Sequence, residues 1–600
     1  MTPHVIELAA ALLLPAALPQ EAPQATPEYF QQDVEYTLEA RLDEDRDVLI
    51  GAGVMTYQNN SLQSLDSLYF HLYLNAFRPN SSWSTTEQRD DFDFQGLDEE
   101  AAAFHRMTGM SLEGAELEAH YPGAPDSTVV VYPLPEALEP GEAIELAFTW
   151  EARPSTLCRR QCRRGRSYDF AHWYPRVAVF DQTGWAVRPL LPQGELYGEF
   201  GRYRVTLDLA DDQVVGATGV PVAGDPGWRA GPGSPEPTPH YRRDFYGTSP
   251  PTGHPGLLDG PVEEGRKRVI FHAEDVHHFA WSTSPDYLYE GGRAGDVAIH
   301  VLYRPGDLDW DLGAVVARTE RALEWLESVF GPYPWPQLTN LHRIEGGGTE
   351  FPMVLMDGSD GQGLIIHEAA HQYAHGILAN NEWREGWLDE GMASFLSAWF
   401  YEDHGAPDPW SGLMRGIGGA IADGPVAPIA TESAEFPDYQ TYGLMTYALP
   451  QAVLYSLRRL LDDDVFRRGL RDYYRNKALE HVTEADLRRS MERASGEDLG
   501  WFFDQWFHST GTLDYAVGNV EQEPADGGWR TRVEVVRKGD IWMPITVRIG
   551  EEERRLEADD EVQVVEITTA ERPERVELDP GATLIDVDRA NNVAEIPGDD

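Results

Sequence analysis

The segment His367-Glu368-Ala369-Ala370-His371, followed nineteen residues later by Glu390 within Trp387-Leu388-Asp389-Glu390-Gly391, decides how the rest of this 600-residue chain is read. Residues four apart on a helix share a face, so both imidazoles can aim at one ion. Glu368 stands between them, where its carboxylate reaches a water on that ion. A catalytic zinc takes three protein ligands and keeps a fourth position open. Glu390, on what reads as the next antiparallel helix, supplies the third. The expectation is one Zn2+ per chain, held by His367, His371 and Glu390, with Glu368 as the base that activates water. Without a metal, Glu390 would be a solvated carboxylate at a helix start. His375 lies one turn beyond His371, but HEAAHQYAHGI lacks the glycine-containing spacing that brings a third histidine to zinc. It reads as a packing residue or a support for the ligands.

Working outward, helical periodicity is expected at 312–330, stopped by GPYPWP (331–336), and then at 362–378, 388–402, 443–461, 463–475, 483–494 and 499–508. On the N-terminal side the pattern is alternating apolar and polar: YTLEARLD, VLIGAGVMTYQNN, SLYFHLYLNAF, AIELAFTWEA and YRVTLDLA all read as strands. The stretch from Pro221 to Gly265 is dense in Pro and Gly and reads as a surface insertion. Alternation returns after Thr512 in RTRVEVVRK, MPITVRI and VQVVEIT. The expected class is therefore multidomain α+β. Residues 28–289 form an N-terminal β-sandwich-like domain, 290–511 a mainly helical domain carrying the zinc motif, and 512–600 a small C-terminal β domain.

Apolar content of 42% and aromatic content of 11% suit a packed globular protein. The formal net charge is −53, and only Lys267, Lys477 and Lys538 are lysines, so the cations are nearly all arginine. Such a surface repels nucleic-acid phosphates and anionic lipid headgroups, which argues against both as partners, so no nucleic acid is expected. An apolar run from Val5 to Leu18 makes residues 1–27 a signal-like segment, although Glu7 and the lack of a basic residue before the run depart from the usual pattern. Secretion or a periplasmic location is the expectation. No other stretch approaches the ~18 apolar residues of a membrane helix, so no membrane insertion is expected. The two cysteines, Cys158 and Cys162, lie in CRRQC, a spacing compatible with a local disulfide or with two free thiols. Both read as structural.

HEAAHQ, the gap to WLDEG, and GGTEFPM at 347–353 together resemble the gluzincin aminopeptidases of the aminopeptidase N and leukotriene hydrolase type. WYPRVAVFD (173–181) and FFDQWFHSTG (502–511) are similar to that family's bacterial secreted members. The resemblance implies a thermolysin-like fold for 290–511 and an enzyme that removes N-terminal residues from peptides with a free N-terminus. GGTEFPM stands where the family has its Gly-x-Met-Glu-Asn signature, so Glu350 would take the substrate's α-ammonium, with Gly347 and Gly348 lining the same subsite. Thr349 and Phe351 replace the usual Met and Asn. Of the pair Tyr442 and Tyr447, the second would carry the hydroxyl that stabilises the tetrahedral intermediate. Many relatives place a carboxylate seven residues beyond the glutamate ligand, where this chain has Ser397, and the sequence names no group that orients the imidazoles.

Rival readings are a zinc endopeptidase of the thermolysin sort, a leukotriene-type hydrolase with epoxide-opening activity, and a catalytically inactive protein-binding scaffold. Glu350 argues against the first, since a charged block closes that end of the cleft. The intact set of ligands and base argues against the last. Oligomeric state is left open by the sequence.

Overall fold

The computed structural model describes residues 29–86, 92–194, 196–229, 251–306, 310 and 313–596. The signal-like segment 1–27 and the middle of the expected 221–265 insertion lie outside the described residues. Alternation in the sequence becomes sheet in the N-terminal part. In Ala143–Arg153 the side chains of Leu146, Phe148, Trp150 and Ala152 face inward while their neighbours face out. Eight strands form the main sheet, in the order Val220–Ala223, Arg266–Val276, Gly201–Ala210, Asp33–Asp43, Val48–Gln58, Ala143–Arg153, Phe104–Leu112 and Ala115–Glu116. Asp33–Asp43 is its hinge of direction, antiparallel to Val48–Gln58 and parallel to Gly201–Ala210, with Tyr36 opposite both Met55 and Tyr203.

Aromatic side chains join this sheet to the layers against it. Tyr36 stacks on Tyr203 and meets Tyr174 edge-on, while Trp150 packs on Trp173, which in turn meets Trp281. Trp150 needs a glycine beneath it: a Cβ at Gly51 would fall 2.3 Å from the indole.

A five-stranded mixed sheet follows. Val297–Tyr303, Gln337–His342 and Val354–Asp357 run parallel, and the short strands Leu288–Ala294 and Glu350–Phe351 close the two edges antiparallel. Every residue of Val297–Tyr303 and Gln337–His342 is buried, as central parallel strands require. The helix Ala314–Val329 makes the crossover between them.

Helices then dominate: Gln362–His371, Glu390–Asp403, Trp410–Ala420, Leu449–Leu461, Asp463–Lys477, Glu484–Ser495 and Gly500–Phe507. Three differ from the sequence expectation, one being the helix expected over 443–461, which is α-helical only from Leu449 and opens with a π turn, Leu444–Ala448. The segment expected as one helix over 362–378 is α-helical only to His371 and continues as a π turn, Gln372–Ile377. Trp410–Ala420 was not anticipated, because four glycines at 412, 416, 418 and 419 lower its intrinsic propensity. Packing overrides them, with Trp410, Met414 and Ile417 burying one face. At the C-terminus, Tyr515–Ala525, Gly528–Arg537 and Val562–Thr569 form one antiparallel sheet. A four-stranded sheet centred on Ile545–Ile549 and Arg575–Leu578 forms another. No helix among the described residues is long and apolar enough to cross a membrane.

Gly51→Ala should lower the melting temperature and cost about 1–3 kcal/mol, because Trp150 has no space to yield. Thermal unfolding of the variant against the parent chain measures it.

Candidate metal and peptide site

The helix Gln362–His371 follows the strand Val354–Asp357 after a four-residue loop and buries Ile365, Ile366, Ala369 and Ala370. That packing turns His367, Glu368 and His371 towards Glu390, which opens the helix Glu390–Asp403 packed against it. The Nε2 atoms of His367 and His371 lie 3.2 Å apart, and each is 3.3 Å from Glu390 Oε2. A tetrahedral zinc with bonds of about 2.0–2.1 Å sets its ligand atoms about 3.3 Å from one another. The triangle therefore fits the ion. Glu390 Oε2 has no hydrogen-bond partner in the protein, as expected of an atom kept for a metal.

Neighbouring groups fix the ligands. His371 Nδ1 donates to Asp389 Oδ1, which leaves Nε2 as the lone pair facing the site. The Tyr447 hydroxyl donates to Glu390 Oε1 at 2.5 Å, so the other oxygen is left to the histidines. Tyr447 sits in a π turn, Leu444–Ala448, ahead of Leu449–Leu461, and its ring lies parallel to that of His367 at 6.4 Å. Tyr442 meets the Tyr447 ring edge-on at 6.0 Å. Asp389 is the group the sequence reading did not find. A carboxylate next to a ligand at a helix start looks like an ordinary capping residue, and only the fold shows which imidazole it meets. Ser397, at the place where relatives carry a carboxylate, bonds instead to its own helix, through Ala393 O at 2.8 Å. His375 packs behind the site, near Asn380 and Glu382.

Glu350 lies on the edge strand of the five-stranded sheet, yet it is only 4% exposed. A carboxylate oxygen of Glu350, one of Glu368 and a ring nitrogen of His371 all lie within 4.8 Å of one another. Two side chains lock this geometry. Gln372, directly after the zinc motif, donates to Phe351 O at 2.9 Å and accepts from Met353 N at 2.9 Å, tying the Glu350 strand to the helix. Buried Arg343 donates to the carbonyls of Gly348, at 2.9 Å, and Gly346, holding the glycine loop closed. A Cβ on Gly348 would fall 1.9 Å from Glu368 Oε1, so only glycine lets that carboxylate rest against the loop. The structure thus brings together His367, Glu368, His371, Glu390, Tyr447, Glu350 and Gly348, while Gly347 turns the loop beside Arg343 with φ of 75°.

Burial governs the electrostatics. It pushes the Glu368 carboxyl well above its ordinary range, and the charge of Glu350 adds to this. Burial also raises Glu350, to about 7. At Glu390 burial acts in the same sense, but the two histidines outweigh it and hold the group well below the usual carboxylate value.

Residues 355–506 match the profile described as the peptidase family M1 domain. That stretch, which holds the metal triangle and Glu368, is thus similar to M1 peptidase domains. The chain is 25% identical over 170 residues to an aminopeptidase N of Lactococcus lactis, covering 26% of this chain and 19% of that protein. It is 24% identical over 194 residues to the leukotriene A-4 hydrolase of Xenopus laevis, covering 29% and 32%. The matched region thus spans a minor part of these curated relatives. The fold is shared more widely. An M1 zinc metallopeptidase from Deinococcus radiodurans superposes with a TM-score of 0.54 at 15% identity, over 80% of this chain and 94% of that one. Legionella pneumophila aminopeptidase A, in complex with aspartic acid, superposes with 0.64 at 14% identity, over 94% and 60%. The donor set of the triangle, two imidazoles and a carboxylate, fits zinc.

Asp389→Asn should weaken zinc binding by about 10–100-fold, because the partner that sets the His371 tautomer is lost. Competition against a chromogenic chelator reads this directly.

Proposed function

We propose that the chain is a zinc aminopeptidase that removes the first residue of peptides with a free N-terminus. The observation that carries this reading is Glu350, a buried carboxylate beside the metal triangle whose Oε1 has no hydrogen-bond partner in the protein. Such a group at the end of a cleft pairs with an α-ammonium and limits how far a peptide can enter. An endopeptidase would have to thread chain past it.

When bound, the zinc lowers the pKa of a water from 15.7 towards ~7 and polarises the scissile carbonyl. Glu368, whose carboxylate stands beside the metal triangle, takes the proton from the attacking water. The same carboxyl then hands the proton to the leaving amine. Gly348 and the Arg343 clamp keep Glu368 from swinging away between the two transfers. Tyr447, already at the edge of the site, supplies a hydroxyl donor for the developing oxyanion. Gly347 and Gly348 leave room for the first residue's backbone beside Glu350. The Cys158–Cys162 bridge supports the further reading that the protein is exported, since bridges persist in oxidising compartments.

Short peptides with free amino termini should be cleaved, their N-acetylated counterparts should not, and chelation should abolish turnover until zinc is restored. Internal cleavage of the acetylated peptides would turn the reading into an endopeptidase. Glu368→Gln should keep its zinc and lose at least ~100-fold in turnover, as general-base contributions are of that size. Tyr447→Phe should reduce kcat with little change in KM, since its bond to substrate forms mainly in the transition state. Steady-state kinetics on a zinc-loaded variant checks each.

A further inference from the structure

The ring closed by Cys158 and Cys162 contains Arg159, Arg160 and Gln161. Within it, Arg159 and Gln161 exchange backbone hydrogen bonds of 3.1 and 2.6 Å. The Gln161 side chain fastens the ring to Ser155, accepting from its N–H at 2.6 Å and donating to its hydroxyl at 3.2 Å. Arg160, at the tip, adopts a left-handed backbone with φ of 56°, a sparsely populated conformation for an arginine. This tip leaves the N-terminal layers and reaches the peptide site. Its N–H donates to Glu345 Oε2 at 2.9 Å, and its guanidinium lies 3.5 Å from Glu350 Oε2. The side chains of Arg160 and Glu350 are only 12% and 5% exposed.

The hydrolysis derived above gives this guanidinium no part. Its position divides Glu350 into two ends: Oε2 faces Arg160, and Oε1 is left for an ammonium. A site with a carboxylate beside a guanidinium is the charge complement of a residue that carries an ammonium and a carboxylate close together. An N-terminal aspartate or glutamate is such a residue. We propose that Arg160, presented by the disulfide ring, is a specificity-determining residue that selects peptides with an acidic first side chain. This rests on the aminopeptidase reading. The side-chain carboxylate would take paired N–H donors of the guanidinium while the α-ammonium takes Glu350 Oε1. A lysine or arginine in the same place would set like charges against each other in a poorly hydrated pocket. The simpler alternative is that Arg160 only neutralises Glu350, in which case every substrate would benefit from it equally.

The test compares kcat/KM for the 4-nitroanilides of glutamate, glutamine, leucine and arginine. Zinc-loaded wild type, Arg160→Gln and Arg160→Lys are each assayed. Wild type should prefer glutamate to its uncharged isostere glutamine by about tenfold or more, with arginine poorest, since bonds between charged partners discriminate by that amount. In Arg160→Gln the glutamate-to-glutamine ratio should fall to near one, and in Arg160→Lys part of it should survive. A wild-type enzyme that favours leucine or arginine over glutamate overturns the proposal, whatever the variants do. So does an Arg160→Gln variant that weakens cleavage of all four amides equally. If zinc-loaded wild type cleaves none of the four, the aminopeptidase reading itself falls and takes this inference with it.

Discussion

Lone pairs from two imidazoles and a carboxylate meet edge to edge at His367, His371 and Glu390, and only a cation reconciles them. Around that point the chain buries further carboxylates, at Glu350, Glu368 and Asp389, each of which loses hydration by being there. What makes the cluster tolerable is arranged in advance. The triangle is spaced for a metal ion, Arg343 and Arg160 stand beside the acids, and hydrogen bonds take up the remaining oxygens where they can. Gln372, Arg343 and Gly348 contribute no chemistry of their own. They set the distances that let Glu350, Glu368 and the metal ligands act on one small molecule.

The metal triangle was legible because it is a statement about periodicity: two histidines four apart, with a glutamate where the next helix begins. Strands with alternating burial, such as Ala143–Arg153, were legible for the same kind of reason. The π turn after His371 was not, since its letters continue a helix and only the docking of Leu378–Asn380 beside Glu480–Val482 unwinds it. Trp410–Ala420 was hidden by its glycines. Asp389 was hidden by its ordinariness, and Arg160 by distance, as its contact with Glu345 joins residues 185 apart in the chain. Patterns within one element can be read from sequence. Meetings between elements need the fold.

Those meetings make the site a shared property of layers. The N-terminal β region lends the tip of its ring, the five-stranded sheet lends Glu350, and the helical part lends the ligands, Glu368 and Tyr447. The large negative charge of the protein is consistent with this economy. Its few cations near the site are arginines, whose planar guanidinium can serve several carbonyls and carboxylates at once, as Arg343 does.

The bridge between Cys158 and Cys162 has a consequence for how the molecule is made. With two cysteines in the chain, four positions apart, oxidation has a single intramolecular pairing available, and no isomerase is needed to sort alternatives. Closing the ring needs residues 158–162 alone, without Glu345 or Glu350. The tip that carries Arg160 to the cleft is thus held in shape by a covalent link within five residues, and not only by the contacts it makes with the distant glutamates.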